Sequence, residues 1–216
     1  MSCDLSVDQA LTTTRAVRRR LDLRRPVPRQ ILMECLDLAL QAPTGANSQG
    51  WQWVFVDDVD KRYSLAEIYR SVADPYIDAL GESPHGDASD KRISANIRSG
   101  KYLSKHLHEV PVLLVPCLAG RPENVDHIPG GTAAFWGSLL PAVWSFMLAL
   151  RSRGLGSAWT TFHLSGDGEK RAAEILEIPY ESYSQGGLIP IAYTIGTGFR
   201  RAERIPAAHL THWNTW

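Results

Sequence analysis

Apolar residues recur at spacings of three to four in some stretches of this chain and run without interruption in others, and the two patterns separate helices from strands. Leu32, Leu36 and Leu40 form one stripe with Ile31, Cys35 and Ala39 beside them, which predicts an amphipathic core helix. Pro26-Val27-Pro28 starts it, since proline suits a first helical turn, and the helical pattern stops at Pro43. Trp51-Gln52-Trp53-Val54-Phe55-Val56 reads as a strand ending at Asp57-Asp58. Residues 60–80, with Leu65, Ile68, Tyr69 and Val72 on one side, predict a second helix, and 91–108 predict another. From Asp74-Pro75 to Asp90, Pro, Gly, Ser and Asp accumulate, which predicts a mobile lid near 74–100. His106 and His108 are two apart, do not share a helix face, and are rejected as a metal pair.

Val110 to Leu118 is a continuous apolar run, the mark of a strand buried on both faces. A loop over 120–131 precedes a very apolar helical stretch, Thr132 to Arg153, in which Pro141 forces a kink or begins a second segment. Gly154-Leu155-Gly156 stops that helix. Ser157 to Phe162 reads as a short strand and Gly168 to Glu177 as a helix. Gly187 to Gly196 is another buried-type strand, whose Pro190 implies an edge or a bulge. Residues 1–14 read as a polar lead-in. Helices alternating with a few strands give an α/β or α+β fold of about three layers, and 216 residues suit a single domain over 1–216.

Charge narrows the partners. With 23 basic and 23 acidic residues the formal net charge is zero, which argues against bulk binding to nucleic acid or to an anionic membrane. No uninterrupted apolar run approaches the ~20 residues of a membrane span, and Asp4 and Asp8 interrupt any signal-peptide pattern. Cys3, Cys35 and Cys117 are scattered without metal spacing, so the default compartment is the reducing cytoplasm.

Two stretches carry candidate chemistry. Arg15-Ala16-Val17-Arg18-Arg19-Arg20-Leu21-Asp22-Leu23-Arg24-Arg25 holds six arginines in eleven residues. Guanidinium forks match phosphate oxygens, and a solvated basic helix face explains the run equally well. The loop from Ala42 to Trp53 contains Asn47 and Gln49, whose amides can read the edge of a planar heterocycle, with Gly45 and Gly50 permitting close backbone approach. The same amides also suit a well-made turn that caps the neighbouring helix.

Taken in order, these blocks resemble the FMN-dependent nitroreductase family. Arg15-Ala16-Val17-Arg18-Arg19 with Pro26-Val27-Pro28 is similar to that family's opening Arg-Ser-x-Arg … Pro-Val-Pro. Ala42-Pro43-Thr44-Gly45-Ala46-Asn47-Ser48-Gln49-Gly50-Trp51 resembles its Ala-Pro-Ser-x-x-Asn-x-Gln-Pro-Trp. Gly154 to Thr161 is similar to a third block, Leu188 to Tyr193 to its final strand, and the Arg201/Arg204 tail to its closing basic segment. The resemblance implies an α+β fold, three-layer α/β/α with a mixed central sheet flanked by helices, as an intertwined homodimer binding FMN at the subunit interface. It assigns Arg15, Arg18 and Arg19 in the opening block with Ala16, and Arg201 and Arg204 in the tail, to the FMN phosphate and ribityl chain. Pro43, Thr44, Asn47 and Gln49 would come from the partner subunit, and Trp159, Thr160 and Thr161 would line the isoalloxazine.

The departures are informative. Ala16 stands where the family pattern has serine, removing a hydroxyl contact, and Gly50 replaces the usual proline before Trp51. Ala16-Val17 lacks the carboxylate of the flavin-destroying branch. The Glu, Tyr and Lys clamp of dehalogenating relatives has candidates in Tyr69, Tyr76, Glu82, Lys91 and Tyr102, which ordinary helix composition also explains. The family's chemistry takes hydride from NAD(P)H and reduces a nitroaromatic, quinone or other electron-poor small molecule, in ping-pong fashion, with no catalytic side chain required. His163 is a candidate proton donor. A flavin-binding store or sensor without turnover, and a phosphate or nucleic-acid binding module using the arginines alone, are the competing readings.

Overall fold

The computed structural model describes residues 5–82 and 87–216, and no side chain of residues 82–92 is described. Strand β2 (Val112–Ala119) lies at the centre, buried along all but its last residue. β1 (Trp51–Val56) pairs with it antiparallel, Trp51 opposite Leu118 and Val56 opposite Leu113. β5 (Ile189–Tyr193) pairs with residues 112–114, β4 (Tyr183–Gln185) with residues 117–119, and β3 (Leu155–Ser157) joins the far side of β5. The strand order is β1-β2-β5-β3, with β4 paired to β2. Every ladder is antiparallel; the parallel part of the expected mixed sheet is confined to an isolated bridge between Ala16 and Ser157.

Period-two alternation sorts the strand residues into two cores. Leu113, Val115 and Cys117 join Val54 and Val56 under α3 (Val59–Glu82), α4 (Asp87–His106) and α7 (Gly168–Leu176). Val112, Leu114 and Leu118 join Trp51, Trp53 and Phe55 under α2 (Arg29–Ala39) and α6 (Leu140–Ser152). The sheet thus separates two helical layers, as a three-layer α+β fold requires. Burial pushes the Cys117 thiol up to about 12 and the Cys35 thiol up to about 11, so both behave as core residues.

The structure corrects several expectations. The lead-in contains a helix, α1 (Val7–Thr13), set by a capping box in which Ser6 and Gln9 exchange side-chain-to-backbone bonds of 2.9 and 3.2 Å. The arginine-rich stretch is not helical. The predicted excursion does not begin at Asp74, because α3 runs through Pro75. Pro75 and Ser71 are both exposed, so the carbonyl that loses its amide partner lies on the solvent side. Where described, the expected lid is two helices; residues 83–86 lie outside the described chain.

The long apolar stretch is two helices, α5 (Gly131–Gly137) and α6, with Pro141 in the first turn of the second. Gly131–Ser152 has the length and mean hydropathy, 1.6, of a membrane span. Here Val143, Phe146 and Leu150 of α6 are fully buried in the second core. β3 begins at Leu155, two residues before the predicted strand, and of the remainder of that prediction, residues 158–162, only Thr160 pairs, through an isolated bridge to Leu188. β5 is interior, but β3 reaches only to Ile191, so Pro190 sits where one neighbour has ended.

Gly156 permits a close approach of β3 to its neighbours. A Cβ there would lie 2.7 Å from Thr194 Cγ2 and 3.0 Å from Val17 Cβ. The variant Gly156→Ala is expected to lose about 1–3 kcal/mol of stability through overpacking, measured by urea unfolding.

Candidate functional site

The backbone of Val17 donates to the Ser157 carbonyl at 2.8 Å, which lays the opening arginine block along the end of β3. Of its six arginines, Arg20 is structural: its guanidinium donates to the carbonyls of Ile195, Gly196 and Gly198 at 2.8–2.9 Å and lies over Phe199. Arg25 lies over Tyr193, 3.5 Å from the ring centroid. Arg15, Arg18 and Arg19 form no ion pair with a described residue, and Arg18 donates to Ser99 Oγ at 3.3 Å. Three guanidinium groups without a competing carboxylate suit a polyanionic ligand.

Beside Arg18 opens a cavity of about 350 Å³. Arg18 lines one end, with Trp159, Thr160, Thr161 and Phe162 on the sheet side and the facing surfaces of α3 and α4 opposite. The expected residues of this wall have unequal roles. Thr160 is fully engaged with Leu188: its amide and hydroxyl both donate to that carbonyl, and its own carbonyl accepts from the Leu188 amide. The Trp159 indole donates to the Gly186 carbonyl at 3.0 Å, which fixes the ring plane. Thr161 is exposed, and its side chain forms no hydrogen bond with a described residue. It is the wall's free polar group.

None of Pro43, Thr44, Asn47 and Gln49 lines this cavity. Their loop is held as a strained turn. Ala46, Asn47 and Gln49 all have φ near +50°, a region costly for residues with a Cβ. Gln49 Nε2 donates to Asn47 Oδ1 at 2.9 Å, and the Gln49 amide to Thr44 Oγ1 at 3.2 Å. Ser138, in the break between α5 and α6, anchors the turn by accepting from the Gly45 amide at 3.0 Å. The capping reading of the amides fails, since they bond within the loop and leave both residues exposed. Arg201 and Arg204 lie on the exposed tail and do not line the cavity.

Behind the wall runs a polar network that sequence reading missed. Glu169 accepts both fork nitrogens of Arg121 at 3.0 Å and also the Gln185 amide at 2.9 Å. Gln185 Nε2 donates to the Glu169 carbonyl, so its Oε1 is left to accept from His163 Nε2 at 3.1 Å. His163 is fully buried and does not line the cavity, and burial pulls its pKa down to about 4. The imidazole is therefore neutral near pH 7 and holds the turn after Phe162 instead of serving as a proton donor. Other missed residues are Ile77 and Leu80 of α3 and Ile93, Asn96, Ile97 and Gly100 of α4. Their helical spacing was the available signal, and it reads as core. Of the clamp candidates, Tyr69 and Tyr76 line the cavity; Tyr102 packs on His106, and the Glu82 and Lys91 side chains lie outside the described residues.

The chain belongs to the Nitroreductase family, matched over residues 11–193. A curated relative from Methanothermobacter thermautotrophicus, provisionally described as an NADH dehydrogenase/NAD(P)H nitroreductase, is 22% identical over 97% of this chain and 88% of its own. Among solved structures, an oxidised iodotyrosine deiodinase bound to FMN and 3-iodo-L-tyrosine superposes with a TM-score of 0.69 at 20% identity. It covers 98% of this chain and all of that one. A variant of NfnB, an FMN and NADPH-dependent nitroreductase from sphigopyxis sp. strain HMH, gives 0.67 at 19% identity, over 98% of this chain and all of its own. At these identities the structures establish the shared fold.

Because His163 is held neutral, the unfolded chain takes up a proton at its ordinary pKa near 6.5 before the native state does. The stabilising contribution is complete above pH 6.5 and declines as pH falls towards about 4. The wild-type protein is expected to lose stability over that window with a slope approaching ~1.4 kcal/mol per pH unit. His163→Gln should flatten this part of the profile in denaturant titrations at several pH values.

Proposed function

We propose that this protein is an FMN-dependent oxidoreductase that takes hydride from NAD(P)H and reduces nitroaromatics, quinones or similar electron-poor molecules. The observation that carries this reading is the pairing of Ala16-Val17 with Ser157, which lays the opening arginine block along the end of β3 and brings Arg18 to the cavity lined by Trp159–Phe162. The residues present fit the cofactor: arginine forks for a phosphate dianion, and indole and threonine surfaces for a planar ring. Family membership and the FMN named in two structural relatives support the same choice.

When bound, FMN supplies the hydride-transfer chemistry that no side chain here offers. The chain's own residues do the rest. Arg15, Arg18 and Arg19, with Arg201 and Arg204 from the tail, neutralise and orient the phosphate end. Trp159, fixed by Gly186, forms a wall whose position does not depend on the ligand. Pro43, Thr44, Asn47 and Gln49 are supplied by a second copy of the chain, which accounts for a rigid, exposed, amide-rich loop that its own cavity does not use. Two cavities per homodimer follow. A single cavity receiving donor and acceptor in turn gives parallel lines in double-reciprocal plots.

Purified protein reconstituted with FMN is expected to be yellow and to bleach when NADH or NADPH is added without oxygen. A protein that takes up no FMN contradicts the reading. In fluorescence titrations of the apoprotein, Arg15→Gln and Arg19→Gln are each expected to weaken FMN binding by about 1.5–3 kcal/mol, the value of a hydrogen bond to a charged group. Arg20→Gln should instead lower the melting temperature, because it removes three bonds to the 195–198 turn.

A further inference from the structure

The cavity has two unlike ends. At the sheet end are Arg18, Thr161 and Tyr69. Tyr69 is only 2% exposed, yet its hydroxyl forms no hydrogen bond with a described residue, and burial raises its pKa to about 12 so that it stays a donor. The remaining lining is chiefly apolar, with Ile77 and Leu80 on α3 and Ile93 and Ile97 on α4, and includes Tyr76 and Asn96 as its polar members. Arg18 is the only charged residue lining the cavity among the described residues. The outer side of the same helix pair is the opposite, with Lys101 paired to Asp78 and Ser104 to Asp74.

Glycines let the two helices approach closely along this side. A Cβ at Gly100 would lie 3.1 Å from Ile77 Cδ1, and one at Gly81 4.0 Å from Ile97 Cδ1. From Tyr69 to Leu80 this face of α3 is about 17 Å long at the helical rise. A ring held at the sheet end does not reach the far isoleucines. Something apolar attached to it does.

We propose that the acceptor is a planar ring bearing an extended apolar substituent, its polar oxygen held by Tyr69 and its substituent lying between α3 and α4. This rests on the oxidoreductase reading above and narrows its acceptor class.

The test uses the FMN-loaded protein with 2-methyl-, 2-propyl- and 2-pentyl-1,4-naphthoquinone. KM is expected to fall about fourfold per added methylene, which corresponds to ~0.8 kcal/mol for each buried CH₂. The dissociation constants of 4-alkylphenols, which accept no hydride, should fall in the same order, read from quenching of indole fluorescence because Trp159 lines the cavity. Gly100→Leu, which fills the trough, should raise KM for the pentyl compound more than for the methyl one. If quinone reduction proceeds but KM and phenol binding are indifferent to chain length, the inference is overturned and the oxidoreductase reading stands. If phenol binding is graded but no quinone or nitroarene is reduced, the oxidoreductase reading falls and takes the acceptor assignment with it.

Discussion

Strand β2 is the constraint on which the rest of the structure depends. Both of its faces are apolar and buried, so each needs its own helical layer. Its backbone groups must also be paired on both edges, because no water reaches them. β1 satisfies one edge, and β4 and β5 share the other. The division of labour between the layers follows. The α2/α6 side is packed with leucine, phenylalanine and tryptophan. On the other side, α3 and α4 leave the cavity between themselves and the end of the sheet.

Much of this was legible in the chain. The Leu32/Leu36/Leu40 stripe and the apolar run through Val115 announce their elements because burial dictates residue type there. Pro141 marks the start of α6 because a first turn tolerates it. The failures have equally physical causes. Ser6-x-x-Gln9 is a capping signature, but α1 has no buried face to confirm it. Pro75 was over-read, since a proline on a solvent-facing helix side breaks less than one in a core. Tyr69 illustrates the difficulty at the site: helical spacing shows that it points inward, but not whether it meets packed side chains or a cavity.

The arginine cluster shows why composition alone could not assign roles. Neighbouring guanidinium groups perform three tasks: Arg20 ties down the turn after β5, Arg25 covers Tyr193, and Arg15, Arg18 and Arg19 keep their charge unpaired. Only tertiary partners separate them. The 42–53 loop repeats the lesson, for Asn47 and Gln49 read as helix caps until their mutual bond, and the left-handed backbone beneath it, are seen.

The Ala16–Ser157 bridge joins distant parts of the family-matched region and has a consequence for the order of events during synthesis. A nascent chain whose exit from the ribosome has stopped short of β3 and β5 has its arginines but no wall to set them against. Long-range pairings of this kind form late, after the loop entropy of the intervening chain has been overcome. The cavity beside Arg18 is thus among the last features to mature, and its walls meet only in a chain that has finished folding.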